Sequence, residues 1–148
     1  MRENGFDVIF FGHHLFDTYG KHAKYIKKHG FRILPLYKNT KNIYKLYKQN
    51  KLIASMRGHG LMIPFGLSLP AISLTTQDKQ KWFLETIGHI DWDIDVNGNF
   101  YTELIQKTFE IINNYEDIRK DLIVKKEYSQ KITKTNMEFI ISKLGHGV

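Results

Sequence analysis

A chain of 148 residues with 42% hydrophobic and 14% aromatic residues has the composition of a folded domain and not that of a disordered chain. Its net charge of +7 favours anionic partners such as phosphates, acidic glycans, anionic lipid surfaces or nucleic acid. The absence of cysteine excludes disulfides, a thiolate nucleophile and a cysteine-ligated metal, and no apolar run is long enough to cross a bilayer.

Strands and helices are predicted to alternate along the first 114 residues. Strands are expected at 7–11, 31–36, 52–56, 71–74 and 92–96, and helices at 17–29, 40–50, 60–65, 78–87 and 102–114, with one or two polar helices over 115–144. Asp17 and Asp78 are the expected N-caps of two helices, and Gly30 and Gly88 are their expected stops. This alternation predicts an α/β fold with a doubly wound parallel sheet, covered by crossover helices on both faces.

The positive charge is concentrated in the first half of the chain. No Asp or Glu occurs between Thr18 and Gln77, and the same segment holds eleven Lys and Arg residues. Two interpretations stay open, a surface for an anionic partner and a solvated basic face. Aromatic residues interleave with these bases, which suits base stacking, but no nucleic-acid motif is present and core packing explains them more simply. No nucleic-acid partner is therefore expected.

Several polar and basic side chains follow predicted strands, where open parallel sheets hold their ligands. The loops 12–16, 56–60 and 75–79 contain His13, His14, Arg57, His59 and Lys79. Because the carboxyl ends of parallel strands share one edge of a sheet, we expect these side chains at one rim. Adjacent histidines point to opposite faces of an extended chain, so His13 and His14 are expected to bind sugar or phosphate oxygens and not a metal.

The segment Met56–Gly60 carries the most specific chemistry. Arg57 can clamp a carboxylate or phosphate with two hydrogen bonds, and His59 can deliver a proton near neutral pH. A loop that opens a helix adds backbone N–H donors for an anion. The alternative is structural: an arginine paired with a carboxylate and a histidine satisfied by the backbone.

Asp93, Asp95, Asn97 and Gly98 have the spacing that opens an EF-hand calcium loop. The closing Glu would stand at position 104, which is Leu104, and Glu103 is one residue early. A strand followed by an Asn-Gly turn is therefore the expected structure. No metal site and no cofactor are predicted.

The string SMRGHGLMIPFGLSLPAISLTTQDKQKWFLETIG (residues 55–88) resembles the C-terminal signature of the polysaccharide pyruvyl transferases. The resemblance extends over about residues 5–114 and implies a Rossmann-like lobe, one of two in a GT-B-like transferase. It implies pyruvyl transfer from phosphoenolpyruvate to hydroxyls of a polysaccharide or its lipid-linked precursor, in exopolysaccharide or capsule biosynthesis. Under this resemblance His59 is the catalytic acid, and substrate is bound by Arg57, Gly58, Lys79, His13 and His14.

Family members carry a second Rossmann-like half ahead of this one, so the chain is expected to supply only the donor-side lobe. The expected division is a lobe at 1–114 and a helical tail at 115–148 that packs on a missing lobe or on another chain. The chain is expected in the cytoplasm, at most peripheral at the inner membrane face through contact with anionic lipid. Two alternatives stay open: a nucleotide-sugar-binding lobe of a glycosyltransferase and a non-catalytic basic binding domain.

Overall fold

The computed structural model describes residues 5–38 and 40–144. The chain forms two compact units, residues 1–49 (unit 1) and 50–148 (unit 2). The division lies between Gln49 and Asn50, whereas the sequence analysis divided the chain after residue 114.

Unit 1 is built on a two-stranded parallel sheet with helices between and after its strands. Its elements in order are β1 (Ile9–Gly12), α1 (Leu15–Tyr19), α2 (Lys21–Lys28), β2 (Arg32–Pro35), two 3₁₀ turns (Leu36–Lys38 and Thr40–Asn42) and α3 (Ile43–Lys48). Ile9 is opposite Arg32 and Gly12 is opposite Pro35. Ala23, Leu36 and Tyr47 form the buried interior of the unit.

The helix predicted over residues 17–29 is two helices, and its predicted cap is wrong. The backbone N–H of His14 donates to Asp17 Oδ2 at 2.8 Å, so Asp17 lies in the first turn of α1 and does not begin the helix. At Gly20 the backbone is extended (ψ 178°), and a Cβ there would lie 2.8 Å from the carbonyl oxygen of Phe16. The extended backbone at Gly20 ends α1, and α2 begins at the next residue.

Unit 2 contains a three-stranded parallel sheet in the order β3–β4–β5. Its elements are β3 (Ile53–Ser55), α4 (His59–Gly66), β4 (Ala71–Thr75), α5 (Asp78–Thr86), a 3₁₀ turn (Ile90–Trp92), β5 (Asp93–Asp95), α6 (Phe100–Asn113) and α7 (Tyr115–Leu144). The core packs side chains of the sheet against those of α5, α6 and α7, among them Ile72, Leu84, Trp92, Ile94, Ile111 and Leu122. Burial of Leu122 joins the first part of α7 to this unit.

The predicted helix stops are confirmed. Gly30 and Gly88 have φ of 75° and 67°, in the left-handed region that glycine adopts without a steric penalty. The N–H of the residue after each glycine bonds back into the last helical turn, as in Phe31 to Ile26 and His89 to Leu84. The cap predicted at Asp78 is wrong by one residue, because Gln77 has the extended conformation of the N-cap and Asp78 is the first helical residue.

The α/β class, with parallel strands alternating with helices, is confirmed. The single doubly wound sheet is not: the described strands pair as two separate sheets, with β2 joined to β1 and β3 joined to β4. The tail predicted as one or two helices is a single α7 of 30 residues. None of the helices within the described residues has both the length and the apolar character needed to cross a bilayer.

Candidate functional site

A cleft of about 450 Å³ lies in unit 2 at the carboxyl ends of β3 and β4. It is lined by Met56, Arg57, Gly58, His59, Thr76, Gln77 and Lys79. Four residues selected from the sequence, Arg57, Gly58, His59 and Lys79, are therefore brought together. The rule that parallel sheets hold ligands beyond their strand ends predicts this location.

One wall of the cleft is shaped by Ser55, the last residue of β3. Its Oγ accepts a hydrogen bond from the backbone N–H of Arg57 at 3.1 Å and lies 3.1 Å from the Arg57 carbonyl, to which it donates. This turn sends the chain directly into α4, which begins at His59. The backbone that carries Arg57 and His59 is thus held by a side chain of the sheet.

Gly60 allows α4 to approach that turn. A Cβ at position 60 would lie 2.6 Å from Ser55 Cβ and would also collide with Ser55 Oγ. Gly58, by contrast, has no atom within 4 Å of its virtual Cβ, so its side faces open space. The two glycines therefore have different structural roles. Gly60 lets α4 pack against Ser55, and Gly58 leaves space in the cleft.

The opposite wall is held by Gln80, a residue that the sequence analysis did not select. Its side chain is 1% exposed, and Oε1 accepts hydrogen bonds from the backbone N–H and the hydroxyl of Thr76, at 3.1 and 3.3 Å. Nε2 is buried and has no partner among the described residues. Gln80 lies five residues after the end of β4, and no local sequence signal marks it, because its burial depends on packing.

The electrostatics of the cleft favour an anion. Arg57, His59 and Lys79 are all exposed on its lining. Both α4 and α5 begin at the cleft, and the start of a helix carries partial positive charge from its unpaired N–H groups. Among the lining residues none is acidic, so the arrangement suits a small ligand with phosphate or carboxylate groups.

A second polar group lies in the sheet next to the cleft. Thr75 Oγ1 donates to Asp93 Oδ1 and lies 2.7 Å from Ser73 Oγ. Asp93 is therefore held in a hydrogen bond of the sheet. Asp95 accepts from the backbone N–H of Asn97 at 2.8 Å, which confirms the turn predicted after β5. Across the described residues, no group of three or more His, Cys, Asp or Glu is arranged to hold a metal ion.

His13 and His14 belong to unit 1 and follow β1. His13 is half-buried, with Nε2 3.5 Å from the hydroxyl of Tyr47, whereas His14 is exposed and precedes α1. Within the described residues, the lining of the unit 2 cleft includes neither histidine.

Comparison of the chain with protein-family models, with curated proteins and with solved structures found no match. The chemistry of the cleft and the sequence of residues 55–88 therefore remain as the guides to function.

Proposed function

We propose that the cleft binds phosphoenolpyruvate and that the chain is the donor-side part of a polysaccharide pyruvyl transferase. One observation carries the proposal: Arg57, His59 and Lys79 line a single cleft at which two helices begin. The sequence resemblance of residues 55–88 supports the choice of substrate among small anions.

Phosphoenolpyruvate carries a carboxylate and a phosphate on the same carbon, so its site needs two separate sources of positive charge. The guanidinium of Arg57 suits a planar carboxylate with two parallel hydrogen bonds. Lys79, in the first turn of α5, supplies a compact charge for the phosphate, together with the backbone at the start of that helix. Gln80 keeps this wall in place through Thr76.

His59 is the proton donor in the proposed reaction. It transfers a proton to the methylene carbon of the enol, which becomes a methyl group, and positive charge develops on the neighbouring carbon. Two hydroxyls of one acceptor saccharide bond to that carbon while the bond to the phosphate oxygen breaks. The two hydroxyl protons are released: one leaves on inorganic phosphate and one restores His59. The product is a pyruvate ketal.

A nuclear magnetic resonance titration of the isotope-labelled chain with phosphoenolpyruvate tests the binding step. We expect shifts at Arg57, Gly58, Gln77 and Lys79, and loss of roughly tenfold or more in affinity in Arg57→Ala, since a charged hydrogen bond contributes about 1.5–3 kcal/mol. Lys81→Ala is the matched control, because Lys81 is exposed on α5 but does not line the cleft. Equal affinity of a folded Arg57→Ala and the parent chain would remove the proposed site.

The same titration separates the alternatives. A nucleotide sugar that shifts the cleft residues, when phosphoenolpyruvate does not, would identify a glycosyltransferase lobe. Salt-sensitive binding of a polyanion, with no response to either small ligand, would identify a non-catalytic basic domain.

A further inference from the structure

The net positive charge of the chain belongs entirely to unit 1. Residues 1–49 contain ten Lys and Arg against three Asp and Glu, which gives +7, whereas residues 50–148 contain twelve of each. The proposed phosphoenolpyruvate cleft lies in the neutral unit. The proposed cleft therefore does not account for the positive charge of unit 1.

Helix α2 concentrates part of this charge on its outer side. Lys21, Lys24 and Lys28 are exposed there with Tyr25, while Ala23 is buried against the unit. The spacing of three and four residues places the three lysines on one face of the helix. Arg32 pairs with Asp7 in unit 1, and this ion pair involves none of the three lysines.

Helix α1, next to α2, exposes large apolar side chains. Leu15, Phe16 and Tyr19 are 54%, 84% and 61% exposed. Phe16 is the most exposed large apolar side chain in the described part of the protein. Single exposed apolar side chains are common on folded proteins, but a group of them marks an interaction surface, and here three share one side of a single helix.

The apolar side chains and the lysines are exposed on two consecutive helices, and α1 is fixed to α2. Thr18 is buried, and its hydroxyl donates to the carbonyl of Leu15 at 2.8 Å and lies 3.0 Å from the hydroxyl of Tyr37. Lys27 of α2 donates to the Thr18 carbonyl at 3.3 Å and lies 5.7 Å from the centre of the Tyr19 ring. We call the exposed residues of these two helices (Leu15, Phe16, Tyr19, Lys21, Lys24, Tyr25 and Lys28) the α1–α2 surface.

We propose that the α1–α2 surface binds an anionic lipid bilayer. Leu15 and Phe16 enter the boundary between headgroups and acyl chains, and the lysines of α2 contact the anionic headgroups. Protein segments that lie in the membrane interface typically combine exposed Phe and Leu side chains with Lys side chains, as this surface does. This proposal is independent of the proposed pyruvyl transfer.

The chemistry of the surface favours lipid over nucleic acid. Single-stranded nucleic acid is bound by stacking of bases on free aromatic faces. Here the ring of Tyr19 already faces Lys27, and the ring of Tyr25 lies 4.2 Å from that of His29. Leu15 offers no ring for stacking, but it contributes apolar area to a membrane.

Co-sedimentation with vesicles tests the role of charge. Vesicles of phosphatidylcholine with roughly 30% phosphatidylglycerol should bind the chain, whereas pure phosphatidylcholine vesicles should bind it weakly. The triple variant Lys21→Gln, Lys24→Gln, Lys28→Gln should lose about a hundredfold in partitioning, roughly fivefold per lysine at low salt. The matched control replaces Lys81, Lys120 and Lys131, which are exposed on unit 2, and should bind as the parent does.

A second variant tests whether Phe16 inserts into the bilayer interface. Phe16→Ser should weaken partitioning by about tenfold or more, while Tyr101→Ser, at a similarly exposed aromatic of unit 2, should not. Because the chain has no cysteine, Phe16→Cys can carry a single environment-sensitive dye. Its emission should shift to the blue with anionic vesicles, and the same dye at Tyr101→Cys should not respond.

Three results would overturn the proposal. One is equal vesicle binding by the parent and both unit 1 variants, each shown by circular dichroism to be folded. Another is a dye at position 16 that stays in water on the vesicle. The third is tight binding of a single-stranded oligonucleotide that the lysine variant abolishes while vesicle binding persists. Arg57→Ala, which changes the cleft of unit 2, should bind vesicles as the parent does. Vesicle binding therefore tests the α1–α2 surface separately from the proposed phosphoenolpyruvate site.

Discussion

The imidazole Nε2 of His89 lies 2.8 Å from Oδ2 of Asp121, which joins the loop after α5 to helix α7. Lys125 Nζ lies 2.8 Å from the same carboxylate oxygen. On its other side the His89 ring stacks on Trp92, with ring centres 3.7 Å apart and planes 15° apart. This cluster fixes the first part of α7 to the core of unit 2.

We predict that unit 2 loses stability on acidification because of this cluster. Burial lowers the pKa of His89, and the nearby charge of Lys125 lowers it further, against the opposing effect of Asp121. Burial raises the pKa of Asp121, but the hydrogen bonds from Lys125 and His89 outweigh it and the pKa is lowered. Both groups bind protons more readily in the unfolded chain, so their contributions are present above the unfolded pKa values and are lost as the pH falls below them.

Urea unfolding followed by tryptophan fluorescence measures this effect, because Trp82 and Trp92 both lie in unit 2. The free energy of unfolding should fall as the pH is lowered from about 7 to 5, the window that begins near the unfolded histidine pKa of about 6.5. His89→Gln should show a shallower decline than the parent chain. Identical slopes in the two proteins would contradict the assignment to His89.

The second prediction concerns the close contact of Gly60 with Ser55. Gly60→Ala places a methyl group into the Ser55 side chain, so we expect a loss of about 1–3 kcal/mol in the unfolding free energy of unit 2. The same change should displace the turn at Arg57 and weaken the proposed binding of phosphoenolpyruvate. Gly66→Ala, in the same helix, has no atom within 4 Å of the new Cβ and should not destabilise the unit. A Gly60→Ala protein as stable as Gly66→Ala would show that the Ser55 turn can move to accommodate the added methyl group, against this prediction.

The local signals of the sequence predicted most of the secondary structure. Gly30 and Gly88 were identified as helix stops because a left-handed residue is needed there, and both have that conformation. Ser68 also ends a helix with a positive φ of 55°, and no propensity marks a serine for this role. Its Oγ accepts a hydrogen bond from Lys126 of α7, a contact 58 residues away in sequence that local patterns do not contain.

Tertiary pairing was the part that local patterns could not provide. The alternation of strands and helices gives the same signal whether β2 pairs with β3 or the chain divides into two sheets. In the cleft, Arg57, His59 and Lys79 were predictable because reactive residue types follow strand ends. Gln80 was not, because its importance comes from burial and from the hydrogen bond to Thr76, which depend on packing.

The third prediction tests the chemistry assigned to His59. In the proposed two-lobed transferase, His59→Gln should reduce the release of phosphate from phosphoenolpyruvate in the presence of acceptor glycan by roughly a hundredfold or more. The affinity for phosphoenolpyruvate should change little, because Gln keeps a polar side chain at the cleft. In deuterated water the ketal methyl group should contain one solvent deuterium. A variant that keeps most of the turnover would exclude His59 as the acid.

The last prediction concerns the distal part of α7. Every residue from Gln130 to Leu144 is exposed, including Ile132, Phe139 and Ile140. An exposed apolar helix favours association, so we expect the purified chain to self-associate through this segment. In an antiparallel pair centred on Asn136, Ile132 of each copy faces Ile140 of the other. Such a pairing buries apolar side chains of both copies, while Lys134 and Glu138, which pair with each other within α7 at 3.9 Å, lie on the opposite face of the helix.

Analytical ultracentrifugation of the parent chain and of the triple variant Ile132→Gln, Phe139→Gln, Ile140→Gln measures this association. The parent should show a concentration-dependent dimer and the variant a monomer, while Trp82→Gln, at another exposed apolar residue of unit 2, should dimerise as the parent does. Backbone amides of the distal segment should exchange more slowly as the protein concentration rises, because only the paired helix is protected. A monomeric parent with fast exchange from Gln130 onward would contradict self-association through this segment.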